Sequence, residues 1–587
     1  MRRWLFVLVA ALIVSAPVFQ PSPDARALAG SAVFSAGQHT VAGESTIDVQ
    51  VLAFNDFHGT LAPRAGANGR IADTDAGGVE YLASRLKSLR DSNPNTIIVS
   101  AGDNIGASPL LSAMFHDEPT IEALGAAGLQ ISAVGNHELD EGWAELVRLQ
   151  KGGCHPTDGC QDGTPFDGAG FQYLAANILL DPRLADAASV RRLGITDERR
   201  HHVLPAATVK TIAGVRIGFI GLTLRGAPQI VSPDGIKGLI FQDEALAANT
   251  EARRLRQLGV RAIVVLIHEG GTPHGTDVNG CEGFSGPIVD LARRMSDSID
   301  VIVSGHTHEA YNCRIGSKLV TSAASYSRLV TDIDLTIDRR TGRVVNKTAR
   351  NIVVTRDVAR SADESALIAH YEPFARTVGS KVVGSITAPI VREPNTVGES
   401  ALGDVIADAM LEAARARVSG GAALAFWNPG GIRSDLTGTG GGSAQGRNVT
   451  YEEAFDVLPF GNQLVVRTMT GEALVQMLEQ QFDNPSPGRM KLLQVSSGFT
   501  YRYSPHRPAG HRIDAASVMI DGRPIGLATR YRVATSDFIW AGGDGFTPIM
   551  AIDPVGVAVD VEILLEYLGK HMPISPGPQN RVRVDSE

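Results

Sequence analysis

Val134-Gly135-Asn136-His137-Glu138-Leu139-Asp140 closes a short apolar run that includes Leu129, Ile131 and Ala133. Such a run reads as a buried strand. Gly135 then lets the chain turn, and polar side chains able to hold a metal or move protons arrive within a few residues. A strand ending in such a cluster puts chemistry at the edge of a sheet, where a ligand can reach it. Alone, the stretch is only suggestive. It gains weight from other strands that end in the same way.

Four more strands do so. Ile47–Phe54 runs into Asn55-Asp56-Phe57-His58-Gly59, and Thr96–Ser100 into Gly102-Asp103-Asn104. Ala262–Ile267 runs into His268-Glu269-Gly270, and Ile299–Ser304 into Gly305-His306-Thr307-His308. Helical spacing lies between them, over Gly78–Arg90, Pro119–Ala127 and Gln242–Leu258. Tyr173–Ile178 and Val215–Leu222 read as further strands. This alternation predicts an α/β layered domain of roughly 300 residues. Leu319–Thr336 looks antiparallel, so its sheet is expected to be mixed. Ser361–Val378 reads as a connecting helix with Pro373 as a candidate break. A second α/β unit follows. Its markers are the amphipathic helix Glu399–Arg415, a strand Ala423–Trp427 entering Asn428-Pro429-Gly430-Gly431-Ile432-Arg433, and a strand Tyr531–Ala534 entering Ser536–Gly545. The Gly-rich stretch 437–446 reads as a solvated loop, since it lacks the Lys-Ser/Thr of a phosphate-binding P-loop.

Composition agrees. A chain of 587 residues exceeds one core and calls for two or more domains. With 43% hydrophobic and 20% charged residues it is an ordinary globular chain, and its net charge of −9 argues against binding a nucleic-acid polymer through a basic surface. Arg2 and Arg3, the apolar stretch Trp4–Phe19 and Ala27-Leu28-Ala29 before Gly30 form a signal peptide over residues 1–29. Pro17, Pro21 and Pro23 interrupt the run, which weakens the rival reading as a retained anchor. The mature protein is therefore expected to be secreted, periplasmic or at the cell surface, with no membrane span after cleavage. There are four cysteines. Cys154–Cys160 with Cys281–Cys313 is the simplest of the three possible pairings in an oxidising compartment, and the spacings fit no common thiolate zinc pattern.

The polar residues at the strand ends are Asp56, His58, Asp103, Asn136, His268, His306 and His308. Two divalent metals need about seven or eight protein ligands and a shared carboxylate, and this inventory fits. In an extended loop, the spacing of two in Asp56/His58 and His306/His308 puts each pair on one side. Asp103, alone at its strand end, is the natural bridge. Glu138 and Glu269 read as structural.

As a set, Asp56-Phe57-His58, Gly102-Asp103-Asn104, Gly135-Asn136-His137-Glu138, His268 and Gly305-His306-Thr307-His308 resemble the calcineurin-like metallophosphoesterases. Asn136–Asp140 together with the second domain resembles, more narrowly, the secreted bacterial 5′-nucleotidase and UDP-sugar hydrolase family, over nearly all of residues 47–570. The resemblance implies an α/β fold: a four-layer β-sandwich flanked by helices at 46–355, a linker helix at 356–380, and a separate C-terminal α/β nucleotide-recognition domain at 381–575. It also implies two divalent ions, Zn, Mn, Co or Fe. Asp56, His58 and His308 would hold one ion, Asn136, His268 and His306 the other, and Asp103 would bridge. His137 would contact the phosphoryl group, hydrogen-bonded to Asp140. Some members carry Gln or Asn where this chain has His308, which bears on metal preference.

The same resemblance implies that Phe460 and Phe538 sandwich a nucleobase. Asn428 and Asn462 would bind its edge, Arg433 and Arg392 the phosphate oxygens, and Asp544 a ribose hydroxyl. Domain closure would bring this pocket to the metals. The implied substrates are nucleoside 5′-monophosphates, with UDP-sugars and nucleoside di- and triphosphates beside them. A 2′,3′-cyclic-nucleotide phosphodiesterase with 3′-nucleotidase activity is an alternative, although Asn55-Asp56-Phe57-His58 departs from the Thr-Asp-x-His of that group. An inactive nucleotide-binding scaffold is the alternative from another class.

Overall fold

Strands that are apolar on both faces need cover on both. Val215–Thr223 and Ala262–His268 are buried along almost their whole length, and the computed structural model meets the requirement with two stacked sheets. It describes residues 45–585 apart from 65, 186, 193–200, 234, 440–445, 484–489 and 548–551. The expected signal peptide, 1–29, lies outside the described residues.

Each sheet has six strands. The first runs, edge to edge, Val344–Val353, Leu329–Asp338, Thr46–Phe54, Thr96–Ser100, Ile131–Ala133, Gln172–Leu174. The second runs Ala310–Ile315, Lys318–Ala323, Val301–Ser304, Ala262–His268, Val215–Thr223, Ala207–Ile212. Val49, Val51, Val99 and Ile131 from the first sheet meet Phe219, Val264, Leu266 and Val303 from the second in one buried cluster. Outside the first sheet, Leu82, Leu86, Ile121, Leu124 and Leu146 bring in the helices Val79–Ser92, Glu118–Ala126 and Trp143–Lys151. Outside the second, Ala248, Leu255, Ile288 and Leu291 bring in Glu244–Gln257 and Pro287–Arg294. The result is the expected helix–sheet–sheet–helix sandwich. Tyr173–Ile178, expected as one strand, divides into Gln172–Leu174 and Ile178–Leu180, which belong to different sheets.

Both sheets are mixed. Thr46–Phe54 pairs antiparallel with Leu329–Asp338 but parallel with Thr96–Ser100. The parallel run continues through Ile131–Ala133. In the second sheet, Val215–Thr223, Ala262–His268 and Val301–Ser304 are parallel. Parallel neighbours finish at the same edge of a sheet. The five polar strand ends thus leave by the C-terminal ends of parallel strands.

The C-terminal half has its own five-stranded sheet, ordered Gln494–Val495, Leu424–Trp427, Arg530–Ser536, Gln463–Thr470, Ile552–Val559. Leu402, Ile406 and Met410 of helix Ala401–Arg415, with Leu564 and Leu568 of Asp560–Lys570, build one core on it. Leu474 and Leu478 of Gly471–Gln480 build another with Phe426 and Phe499. The connecting helix is present as Ala362–Gly379 and runs unbroken through Pro373, the candidate break. Packing overrides the proline. Two residues earlier, the buried Tyr371 sets its ring 4.8 Å from Phe115 and donates to Glu122 Oε2 at 2.9 Å. Both expected disulfides, Cys154–Cys160 and Cys281–Cys313, are present. Among the described residues, no helix is long and apolar enough to cross a membrane.

Candidate metal centre

Seven candidate ligands meet where the two sheets end. Asp56, His58 and His308 bring donor atoms within 4.8 Å of one another, and so do Asp103, His268 and His306. Asp103 stands between the groups. Its Oδ2 is 2.9 Å from His268 Nε2 and 3.8 Å from His58 Nε2. Asp56 Oδ1 lies 3.3 Å from His308 Nε2 and 4.0 Å from His268 Nε2. Asn136 is buried beside them, and its Oδ1 has no hydrogen-bond partner. His268 Nε2 faces Asp103 Oδ2 but is not aligned for a hydrogen bond to it.

The imidazoles are oriented from behind. His58 Nδ1 donates to the Gly106 carbonyl at 2.9 Å and His268 Nδ1 to the Ala101 carbonyl at 2.9 Å. Each ring thereby keeps Nε2 free as a ligand, the arrangement that fixes metal-binding histidines. Burial raises the pKa of Asp56 and Asp103, but the surrounding histidines outweigh it and hold both below the usual carboxylate range. The same carboxylates overcome burial at His268 and push it up to about 10. Two buried carboxylates held ionised, with unpaired oxygen and nitrogen donors around them, form a set that divalent cations fit.

The backbone here differs from the expectation. The loops were expected to be extended, with alternating side chains. Asp56, His58, Asp103, His306 and His308 instead all have left-handed φ, between 49° and 72°. Non-glycine residues seldom adopt that region, and it is kept where surrounding structure over-determines it. Hydrogen bonds supply that constraint: Asp56 N donates to the Gly102 carbonyl, His58 N to the Asp103 carbonyl, and His306 N to Asp56 Oδ2. Gly135 has a different task from the turn assigned to it. A Cβ there would lie 2.1 Å from Asp103 Oδ1, so glycine is what lets that carboxylate sit against the loop.

His137 Nδ1 is 2.7 Å from Asp140 Oδ2. Burial lowers the imidazole's pKa, but Asp140 and Asp103 outweigh it and the net shift is upward. The C-terminal half reaches this point. The Phe460 ring stacks on His137 at 5.6 Å, and the Arg433 guanidinium lies 5.7 Å from the Phe460 ring. Arg433 Nε and Nη2 are buried without partners. Arg392 bridges the halves by donating to Asn68 Oδ1 at 3.2 Å. Asn428 donates to Asp544 Oδ2 at 2.9 Å, and Lys491 to Asp544 Oδ1 at 2.6 Å. Asn462 donates to Asp560 Oδ2 at 3.1 Å. The half-buried Phe538 packs on Gly543, beside Asp544.

Residues 49–310 match the family model for calcineurin-like phosphoesterases, and residues 382–551 that for the 5′-nucleotidase C-terminal domain. A crystal structure of a 5′-nucleotidase precursor from Thermus thermophilus aligns with a TM-score of 0.72 at 25% identity, covering 92% of this chain and 100% of that one. Endonuclease YhcR of Bacillus subtilis is 30% identical over 552 residues; the match takes in 92% of this chain but only 41% of that protein. Cell wall protein Lmo0130 of Listeria monocytogenes is 30% identical over 566 residues, covering 91% of this chain and 68% of that protein. The chain belongs to the calcineurin-like phosphoesterases that carry a 5′-nucleotidase C-terminal domain.

In this calcineurin-like phosphoesterase, several side chains beyond the predicted set shape the centre. Glu138, read as structural, accepts from the backbone N–H groups of Asp103, Asn104 and Gly135 at 2.9, 2.8 and 2.6 Å. One carboxylate thus ties two ligand-bearing loops together. Burial and the Asp103 charge push its pKa up to about 7. Arg64 donates to the His58 carbonyl at 3.1 Å and lies 4.9 Å from the Tyr326 ring, which itself packs 5.6 Å from His58 and 5.3 Å from His308. Lys491 joins Asp544. Glu138 sits inside a recognisable motif, whereas Arg64, Tyr326 and Lys491 carry no local sequence signal and are found only through their contacts.

Proposed function

We propose that this protein is an exported, metal-dependent 5′-nucleotidase. It hydrolyses nucleoside 5′-monophosphates to nucleoside and phosphate, with UDP-sugars and nucleoside di- and triphosphates as further substrates. The observation that carries the reading is the meeting of Arg433 and Phe460 with His137 beside the two carboxylate–histidine groups. A metal site alone does not select nucleotides; unpaired guanidinium donors and an aromatic face next to it supply phosphate and base recognition. The division into residues 46–355, 356–380 and 381–575 is proposed with it. The leader at 1–29 supports export, and so does the likeness to a protein named for the cell wall.

Asp56, His58 and His308 would hold one divalent cation, Asn136, His268 and His306 the other, with Asp103 shared. Such ions supply Lewis acidity, polarising the phosphoryl group and lowering the pKa of the attacking water. Asp140 accepts from His137 Nδ1 and favours the imidazolium, whose Nε2–H can then donate to a phosphoryl oxygen as charge develops there. Arg433 presents its unpaired Nε and Nη2 to the substrate phosphate. Phe460 and Phe538 offer stacking faces for the base. Asn428, Asn462, Arg392 and Asp544 complete the recognition set.

The test is phosphate release by metal-reconstituted enzyme from AMP, UDP-glucose and 2′,3′-cyclic AMP. Turnover of AMP is expected. No phosphate from any of the three would overturn the enzymatic reading, and turnover confined to the cyclic substrate would favour the 3′-nucleotidase alternative.

A further inference from the structure

Between Lys318–Ala323 and Leu329–Asp338 the chain crosses from the second sheet to the first. In that crossing Ala324, Tyr326 and Ser327 all have left-handed φ, between 56° and 58°. Non-glycine residues keep such a conformation only where neighbours over-determine it. Here Asn55 Nδ2 donates to the Ala324 carbonyl at 2.6 Å, Gly78 N to Ser327 Oγ at 2.8 Å, and Tyr326 N to the Asp56 carbonyl at 2.7 Å. The Tyr326 side chain held in this way is buried.

Tyr326 touches every member of one candidate ligand group. Its N–H reaches Asp56, and its ring packs 5.6 Å from His58 and 5.3 Å from His308, with planes 83° apart at the latter. In the other group the ring contact is internal, His268 meeting His306 at 5.2 Å. The contact weighs most at His308. Backbone carbonyls fix the His58 and His268 rings from behind. Among the described residues, no carbonyl or carboxylate does this for His308 Nδ1, and the His308 side chain is 28% exposed.

The tyrosine ring is itself clamped. The Arg64 and Arg328 guanidiniums lie 4.9 and 5.6 Å from its centroid. Arg64 is tied to the His58 carbonyl at 3.1 Å; Arg328 is tied to Ser325 Oγ at 2.8 Å and the Arg70 carbonyl at 3.1 Å. Core filling is the simpler explanation of a buried tyrosine. It does not account for two cations set against the ring, one of them the buried Arg64, because desolvating a charge is costly and an aliphatic side chain fills space without it.

We propose that Tyr326 is a positioning residue for the cation held by Asp56, His58 and His308. Its ring orients His308 and sets the affinity of that position independently of the one formed by Asn136, His268 and His306. The inference rests on the dinuclear reading above and adds separate control of the two ions. Partners behind the ligands tune metal affinity by about 10–100-fold.

The test titrates metal-free full-length protein with Zn²⁺ against a chromophoric chelator. The wild type is expected to bind two ions. Tyr326→Leu is expected to weaken one of them by at least about tenfold and leave the other within about twofold. Tyr326→Phe keeps the ring and is expected to match the wild type. In a His308→Ala background, which lacks the position in question, Tyr326→Leu is expected to leave the affinity of the remaining ion unchanged. Arg328→Gln loosens the clamp from the far side of the ring and is expected to weaken the same ion by a smaller factor, which keeps the test decisive if Tyr326→Leu does not fold. Wild-type affinities in Tyr326→Leu, equal losses at both positions, a Tyr326→Phe protein as weak as Tyr326→Leu, or a further loss in the His308→Ala background would each overturn the proposal. So would wild-type affinities in Arg328→Gln where Tyr326→Leu is unfolded. A wild type that binds fewer than two ions would bring down the dinuclear reading, and this proposal with it.

Discussion

His137 and Phe460 stack with their ring centroids 5.6 Å apart and their planes 18° from parallel. One ring comes from a strand end of the sandwich and the other from the C-terminal half. Arg433 lies against the same phenylalanine, so both the ring that would donate to phosphate and the guanidinium that would bind it touch one aromatic.

That arrangement separates the two phenylalanines proposed to stack on a base. Phe460→Ala removes a neighbour of His137, so it should lower kcat on AMP and on p-nitrophenyl phosphate alike, by roughly tenfold. Phe538→Ala should cost about 1–3 kcal/mol of base stacking. That appears as a raised KM for AMP with p-nitrophenyl phosphate turnover nearly unchanged. Equal losses on both substrates for Phe538→Ala would count against its stacking role.

The His137–Asp140 pair predicts a turnover defect without a metal defect. His137→Ala should reduce kcat by roughly 10²–10³-fold, the scale of one lost donor to developing charge. Asp140→Asn should also fall, because an amide can no longer hold the Nδ1 proton as a carboxylate does. Metal content should stay near that of the wild type in both; loss of metal in His137→Ala would refute the role assigned to it.

Glu138→Gln replaces an acceptor for three backbone N–H groups with a side chain that is itself part donor. Leaving one such group unpaired costs about 1–3 kcal/mol. The expected outcome is a lower Tm with reduced metal occupancy, since the two tied loops carry Asp103 and Asn136. Unchanged melting and unchanged metal content would show that the tie is dispensable.

The connecting helix predicts a pH effect. Glu364 is buried with both carboxylate oxygens unpartnered; burial, with Asp363 and Glu80 beside it, pushes its pKa up from 4.5 to about 8. A folded-state pKa above the unfolded one means stability that is full below pH 4.5 and is lost as pH rises towards about 8. Glu364→Gln should therefore melt higher than the wild type at pH 8, by at least about 2 °C, with a smaller gap at pH 5. A gap that does not widen with pH would exclude this carboxyl as the cause.

Much of the site was legible one strand at a time. Asp56, Asp103, Asn136, His268 and His306 each follow an apolar run, and an apolar run ending in a metal-competent side chain is a local signal. Glu138 shows the limit. It stands in the same motif, yet its service to Asp103 and Asn104 depends on a backbone segment more than thirty residues away (34 and 35 positions). Pro373 shows the reverse case, where a local rule gave way to the packing of Tyr371.

The sequence alone carried the α/β layering, the pairing of the four cysteines and the identity of the candidate ligands. These follow from periodicity, composition and short spacings, which are properties of neighbouring residues. Folding in three dimensions settled the remainder. Parallel pairing brought five strand ends together, and hydrogen bonds between their loops held Asp56, His58, Asp103 and His306 in left-handed backbone. Close packing set Phe460 on His137, and the crossing between the sheets brought Tyr326 to His58 and His308. Each of these depends on segments far apart in the chain, and no local pattern encodes the distance between them.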